Sequence, residues 1–131
     1  MRVLSIDPAL RKTGYAVIER AVEANRRISY RALTYGVIEN RRDLRQSSCL
    51  VAIREKLVEV IREFGPEVCA VEGIIFVQSY RTAITMGAAR GAGLMAAAEH
   101  GLEVERLSAQ EVDRRFPGSR SRVIAKARNS A

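Results

Sequence analysis

A chain of 131 residues, 47% of them hydrophobic, is the size of one domain and can bury most of one core. Its two cysteines are too few for a disulfide framework, no apolar run is long enough to span a bilayer, and its first residues lack the apolar core of a secretory leader, so a cytoplasmic protein is expected. The formal net charge of +7 points to a polyanionic partner.

Residues 2–7, Arg-Val-Leu-Ser-Ile-Asp, read as a short buried strand that ends at an acid, and Pro8 stops it. Thr13 to Glu19 is β-branched and aromatic, which predicts a second strand returning by a hairpin. A third strand is predicted over about 28–38, where Tyr30, Leu33, Tyr35 and Val37 keep the strand character. The period then changes: Leu50, Ile53, Leu57, Val60, Ile61 and Phe64 recur at helical spacing, with Arg54, Glu55, Glu59 and Arg62 on the other face. Gly65-Pro66 ends that helix.

Glu67 to Glu72 is an apolar run too short for a helix and reads as a central buried strand, again ending at an acid. A second helix is predicted over about 79–100, and it contains Gly87, Gly91 and Gly93. Each glycine costs about 1 kcal/mol relative to alanine inside a helix, so close packing against the sheet or another helix is expected there. Gly101 suits the helix end, Leu102 to Leu107 gives a fifth strand, and a short helix is expected from about 109 to 115 before Pro117-Gly118.

The order β-β-β-α-β-α-β-α predicts an α/β fold with a mixed five-stranded sheet, its first three strands antiparallel, and helices on both faces. The whole of 1–131 reads as a single domain, with residues from about 117 as a frayed basic tail. Both cysteines, Cys49 and Cys69, fall in apolar-periodic segments and read as buried free thiols.

Asp7 and Glu72 stand at comparable places, each closing a predicted central strand. If those strands are parallel neighbours, both carboxylates emerge at one edge, where their repulsion is relieved by a cation; oxygen-only ligands suit Mg²⁺ or Mn²⁺. Such an ion serves phosphodiester hydrolysis, which would join the acids to the basic surface. Taken singly, each acid is more often structural, Asp7 as a cap for the turn at Pro8 and Glu72 as a solvent-facing strand end. From Arg114 onward Arg115, Arg120, Arg122, Lys126 and Arg128 follow without one acid, as a disordered basic tail or a DNA-contacting element.

Ile6-Asp7-Pro8-Ala9-Leu10 followed by Thr13-Gly14-Tyr15 resembles the signature of the RuvC-type crossover junction endodeoxyribonucleases, the Holliday junction resolvases. Pro66-Glu67, Ala70-Val71-Glu72, Gly87 to Gly91, Ala96 to Gly101 and Leu107 to Val112 are similar to the same family in the same order. The resemblance implies a ribonuclease H-like fold and a homodimeric, metal-dependent endonuclease of DNA recombination and repair that recognises four-way junctions, with a branch-migration helicase as a further partner. It implies that Asp7 and Glu72 bind the metal and act in catalysis. It also makes Arg11, Lys12, Phe76, Arg81, Arg90, Arg114, Arg115, Arg120, Arg122 and Lys126 the candidate DNA contacts.

The departures are specific. Family members carry a second pair of acids on a C-terminal helix, and no carboxylate follows Asp113 here, so two of four expected ligands are not found. Glu111 and Asp113 follow the fifth strand and are not expected to replace them, and no ligand role is expected of His100, the only histidine. Ala9 stands where the family prefers glycine, so the turn must tolerate a Cβ. Ile75, with Phe76 beside it, holds the place of a junction-probing aromatic, and Asp113 stands in place of a lysine. The alternative function is therefore a catalytically impaired junction-binding protein. A sugar-kinase or actin-like ATPase would need a second subdomain, for which the chain is too short.

Overall fold

The computed structural model describes residues 1–72 and 79–107, together with residue 114. Three strands come first: β1 (Arg2–Asp7), β2 (Lys12–Val22) and β3 (Ile28–Glu39). They form the expected antiparallel meander, with β2 and β3 running further than the apolar pattern alone predicts. Helix α1 (Gln46–Phe64) then leads to β4 (Val68–Glu72), and α2 (Tyr80–Glu99) leads to β5 (Glu103–Leu107). The helix expected over 109–115 lies outside the described residues, apart from Arg114, which is helical and exposed.

The five strands form one sheet in the order β3-β2-β1-β4-β5. β4 pairs parallel with β1 and β5 parallel with β4, so each helix is a crossover between strands of one direction. Leu4 and Ile6 of β1, Tyr15 and Val17 of β2, Ile38 of β3 and Cys69 and Val71 of β4 share one face of the sheet. The stripe Ile53, Leu57, Val60 and Ile61 of α1 packs there, with Ala89, Ala92, Ala96 and Ala97 of α2. Each large aliphatic side chain in this cluster contributes about 1.5–3 kcal/mol by leaving water. Among the described residues both helices cover this face, while Val3, Ser5, Ala16, Ile18 and Ala70 are buried on the other.

The helix ends follow the local chemistry. Gly65 takes the left-handed conformation at φ 57° and returns its N–H to Ile61 O, which stops α1 before Pro66. Ser79 caps α2, its Oγ accepting from Thr82 N at 3.2 Å. His100 is the C-cap of α2, and Gly101 follows at φ 73°.

The three helical glycines divide. A Cβ on Gly93 would stand 3.3 Å from Ile6 Cδ1 and 3.5 Å from Leu57 Cδ1, so the expected close approach exists there. At Gly87 and Gly91 a Cβ would meet nothing within 4 Å among the described residues, so the expected close approach to the sheet or another helix is not made there. Both cysteines are free and buried as expected, and burial pushes the Cys69 thiol up to about 12. Among the described residues no helix is long and apolar enough to cross a membrane.

Candidate active site

β1 alternates cleanly. Leu4 and Ile6 enter the helix-side cluster, Val3 and Ser5 are buried on the other face, and period two places Asp7 in the row of Val3 and Ser5. In β4, Cys69 and Val71 take the helix side, and Val68 and Ala70 the other, so position 72 continues the row of Val68 and Ala70. The parallel register pairs Val3 with Val68, Ser5 with Ala70 and Ile6 with Val71. Asp7 and Glu72 therefore follow register partners directly, at the carboxyl edge of two central strands.

Ser5 adds a polar group to the same row: its Oγ is fully buried and has no hydrogen-bond partner among the described residues. Among the described residues, no three His, Cys, Asp or Glu side chains gather into a metal-holding group. The donor chemistry of positions 7 and 72 nonetheless fits a hard divalent cation, since carboxylate oxygens are its preferred ligands.

The turn after Asp7 is held from several sides. Thr13 Oγ1 donates to Ala9 O and accepts from Ala9 N at 3.3 Å, which closes the turn over residues 9–13 just after Pro8. Among the described residues Arg26 is the sole non-glycine at positive φ, so Ala9 sits in backbone space that tolerates its Cβ. Arg11 Nη1 donates to Arg41 O at 2.7 Å and Leu44 O at 3.0 Å and touches Cys49 Sγ at 3.0 Å. That arginine, expected as a DNA contact, is a strut between the β1–β2 turn and the loop before α1.

Lys12 opens β2 and pairs with Glu39 across the ladder at 3.7 Å. Arg81 lies exposed in the first turn of α2, which begins on the same side of the sheet as the end of β4. Arg90, further along α2, has a buried Nε with no hydrogen-bond partner among the described residues. Phe76, Arg115, Arg120, Arg122 and Lys126, with Ile75, Glu111 and Asp113, lie outside the described residues. His100 Nδ1 contacts Ala96 O at 2.9 Å, a helix-end role.

An open, charged cleft lined by residues including Arg54, Glu59, Arg62, Glu99 and His100 lies at the C-terminal end of α2, away from Asp7. Arg54 and Glu99 pair with one another there, so the cleft is not an extension of the acidic edge. The sequence reading missed the loop 40–45, where Arg41, Arg42 and Arg45 stand exposed beside the Asp7 turn. Its signal was present as a basic run, Asn-Arg-Arg-Asp-Leu-Arg, with no periodicity to place it.

Three antiparallel strands followed by two parallel ones, in the order 3-2-1-4-5 with crossover helices, define a ribonuclease H-like α/β protein. The family profile described as crossover junction endodeoxyribonuclease RuvC matches residues 3–126. A protein of that description from Akkermansia muciniphila is 50% identical over 112 residues, 86% of this chain and 64% of that protein. Another, from Thermosipho melanesiensis, is 30% identical and is matched over 90% of this chain and 72% of its own length. Among solved structures, T. thermophilus RuvC in complex with a Holliday junction substrate superposes with TM-score 0.76 at 30% identity, covering 87% of this chain and 70% of that one. The chain belongs to the RuvC family of crossover junction endodeoxyribonucleases.

Proposed function

We propose that this chain is a structure-selective endodeoxyribonuclease that resolves four-way DNA junctions in recombination and repair by divalent-metal-dependent phosphodiester hydrolysis. One observation carries the reading: β1 and β4 are parallel neighbours, and an acid follows each of the register partners Ile6 and Val71. Asp7 and Glu72 would hold the cation, Mg²⁺ or Mn²⁺. When bound, it polarises the attacking water and stabilises charge on the leaving oxygen. Lys12, Arg81 and Arg90 contact phosphates around the cut, and Phe76, Arg114, Arg115, Arg120, Arg122 and Lys126 complete the DNA-facing set. Such contacts position the duplex without reading its sequence.

The active unit is a homodimer, and residues 1–131 form one domain within each protomer. Support comes from α2, where Tyr80, Ile84 and Met95 are exposed and Gly87 and Gly91 leave space that none of the described residues fills. A branch-migration helicase partner and a cytoplasmic location follow from the family resemblance. The second reading is a catalytically impaired junction-binding protein, motivated by Asp113 standing where the family carries a lysine.

Incubation with a labelled four-way junction and Mg²⁺ separates the two. The enzyme reading expects paired nicks that yield linear duplexes, suppressed by EDTA. Tight junction binding without any nick, in Mg²⁺ or Mn²⁺, establishes the binding-only reading instead.

A further inference from the structure

The loop between β3 and α1 carries Arg41, Arg42 and Arg45, all exposed, against a single acid, Asp43. Asp43 engages Arg41 at 3.4 Å with both side chains more than 70% exposed (79% and 74%). An exposed pair of this kind is worth at most about 1 kcal/mol, so Arg41 can exchange it for an incoming phosphate. Arg42 and Arg45 make no ion pair among the described residues. The first turn of α1 that follows carries no acid, so no carboxylate there offsets their charge.

The loop is fixed relative to the acidic edge. Asn40 N donates to Arg11 O and Asn40 Nδ2 to Leu10 O, both at 2.9 Å, while Arg11 reaches back to Arg41 O and Leu44 O. Turn 8–11 and loop 40–45 thus form one unit. Across the sheet, Asp7 pairs with Gly14 and Gly14 with Val37, so Val37 lies two strand spacings, about 10 Å, from Asp7, and the loop follows Glu39 at the same edge of the sheet. A DNA strand bound at Asp7 would pass this loop within a few nucleotides. Arginine forks suit phosphate oxygens, and long exposed side chains at that edge can reach out to a backbone that passes it.

We infer that Arg41, Arg42 and Arg45 form a sequence-independent contact surface for the DNA phosphate backbone on the β3 side of the cut. The inference rests on the junction-cutting reading above and extends its footprint to a segment outside the family-derived set of DNA contacts.

The test is equilibrium binding to a four-way junction across a salt series, in an Asp7→Asn parent so that the DNA stays whole. The triple variant Arg41→Gln/Arg42→Gln/Arg45→Gln is expected to bind more weakly, with the slope of log K against log salt reduced by about 0.9 per lost contact, or two to three in all. Each single variant is expected to lower the slope by about 0.9, which keeps the test open if the triple variant folds poorly by circular dichroism. Arg26→Gln/Arg27→Gln, in the β2–β3 turn at the opposite edge, is expected to leave the slope unchanged. An unchanged slope in the triple variant, or an equal drop in the control pair, overturns the surface while the junction reading stands. Failure of the Asp7→Asn parent to bind the junction at all overturns both.

Discussion

Ile6 and Val71 are partners in the parallel β1–β4 ladder although 65 positions separate them in the chain, and each hands its strand on to an acid. Period two then sets positions 7 and 72 in the rows of Ser5 and Ala70, on the face that α1 and α2 leave. We therefore expect Asp7→Asn and Glu72→Gln each to remove Mg²⁺-dependent junction cleavage while thermal melting and junction binding persist. Cleavage at the wild-type rate by either variant would contradict the assignment.

Gly87 and Gly91 lie in α2 with open space where a Cβ would be. Replacing either with alanine should raise protomer stability by about 0.5–1 kcal/mol, because the helix loses backbone freedom less unfavourably. If a second copy seats against this face, the same substitutions should shift the monomer–dimer balance toward monomer. Urea melts read the first effect and light scattering the second, and unchanged dimerisation in Gly87→Ala/Gly91→Ala would argue against α2 as the interface.

Gly36 pairs with Tyr15 across β2 and β3, and a Cβ there would stand 2.6 Å from the Tyr15 hydroxyl and 2.8 Å from its Cζ. Tyr15 is itself buried in the helix-side core, so its ring has little room to retreat. Gly36→Ala should cost about 1–3 kcal/mol, the usual range for overpacking, seen as a lower urea midpoint with an unchanged m-value.

Cys49 and Cys69 are both fully buried, and burial alone holds the Cys69 thiol near 12. Only the thiolate reacts, so Ellman's reagent should find no fast thiol in the native protein and two after denaturation. A rapid native reaction would show that the core opens around one of them.

Two surface carboxylates titrate below the ordinary value of 4.5: Glu19, through its hydrogen bond from Arg2 with Arg31 assisting, and Glu99, through its hydrogen bond from Arg54. A carboxyl whose folded pKa is depressed stabilises the fold above its unfolded pKa, and that stability is lost as pH falls through the folded value. Glu19→Gln and Glu99→Gln should therefore melt below wild type at neutral pH, with the gap closing as pH drops under about 4.5. A gap that does not narrow at all as pH falls below about 4.5 would assign the loss to packing.

Local chemistry alone determined much of this protein. Short apolar runs and β-branched and aromatic content marked the strands, three- and four-residue spacing marked α1 from Leu50 to Phe64, Gly65-Pro66 marked its end, and the acids at 7 and 72 were visible as strand-closing residues. The resemblance around Asp7, Glu72 and Gly87 named the family. Tertiary structure alone decided that β4 lies beside β1, because strand pairing over such a sequence separation leaves no mark in local periodicity. It also showed that Gly93 is packed while Gly87 and Gly91 are open, since identical residues in one helix differ only by which neighbour faces them. Arg11 and Arg42 look alike as charges in the sequence, yet one is spent on backbone carbonyls and the other faces solvent, and only the folded path of the chain distinguishes them.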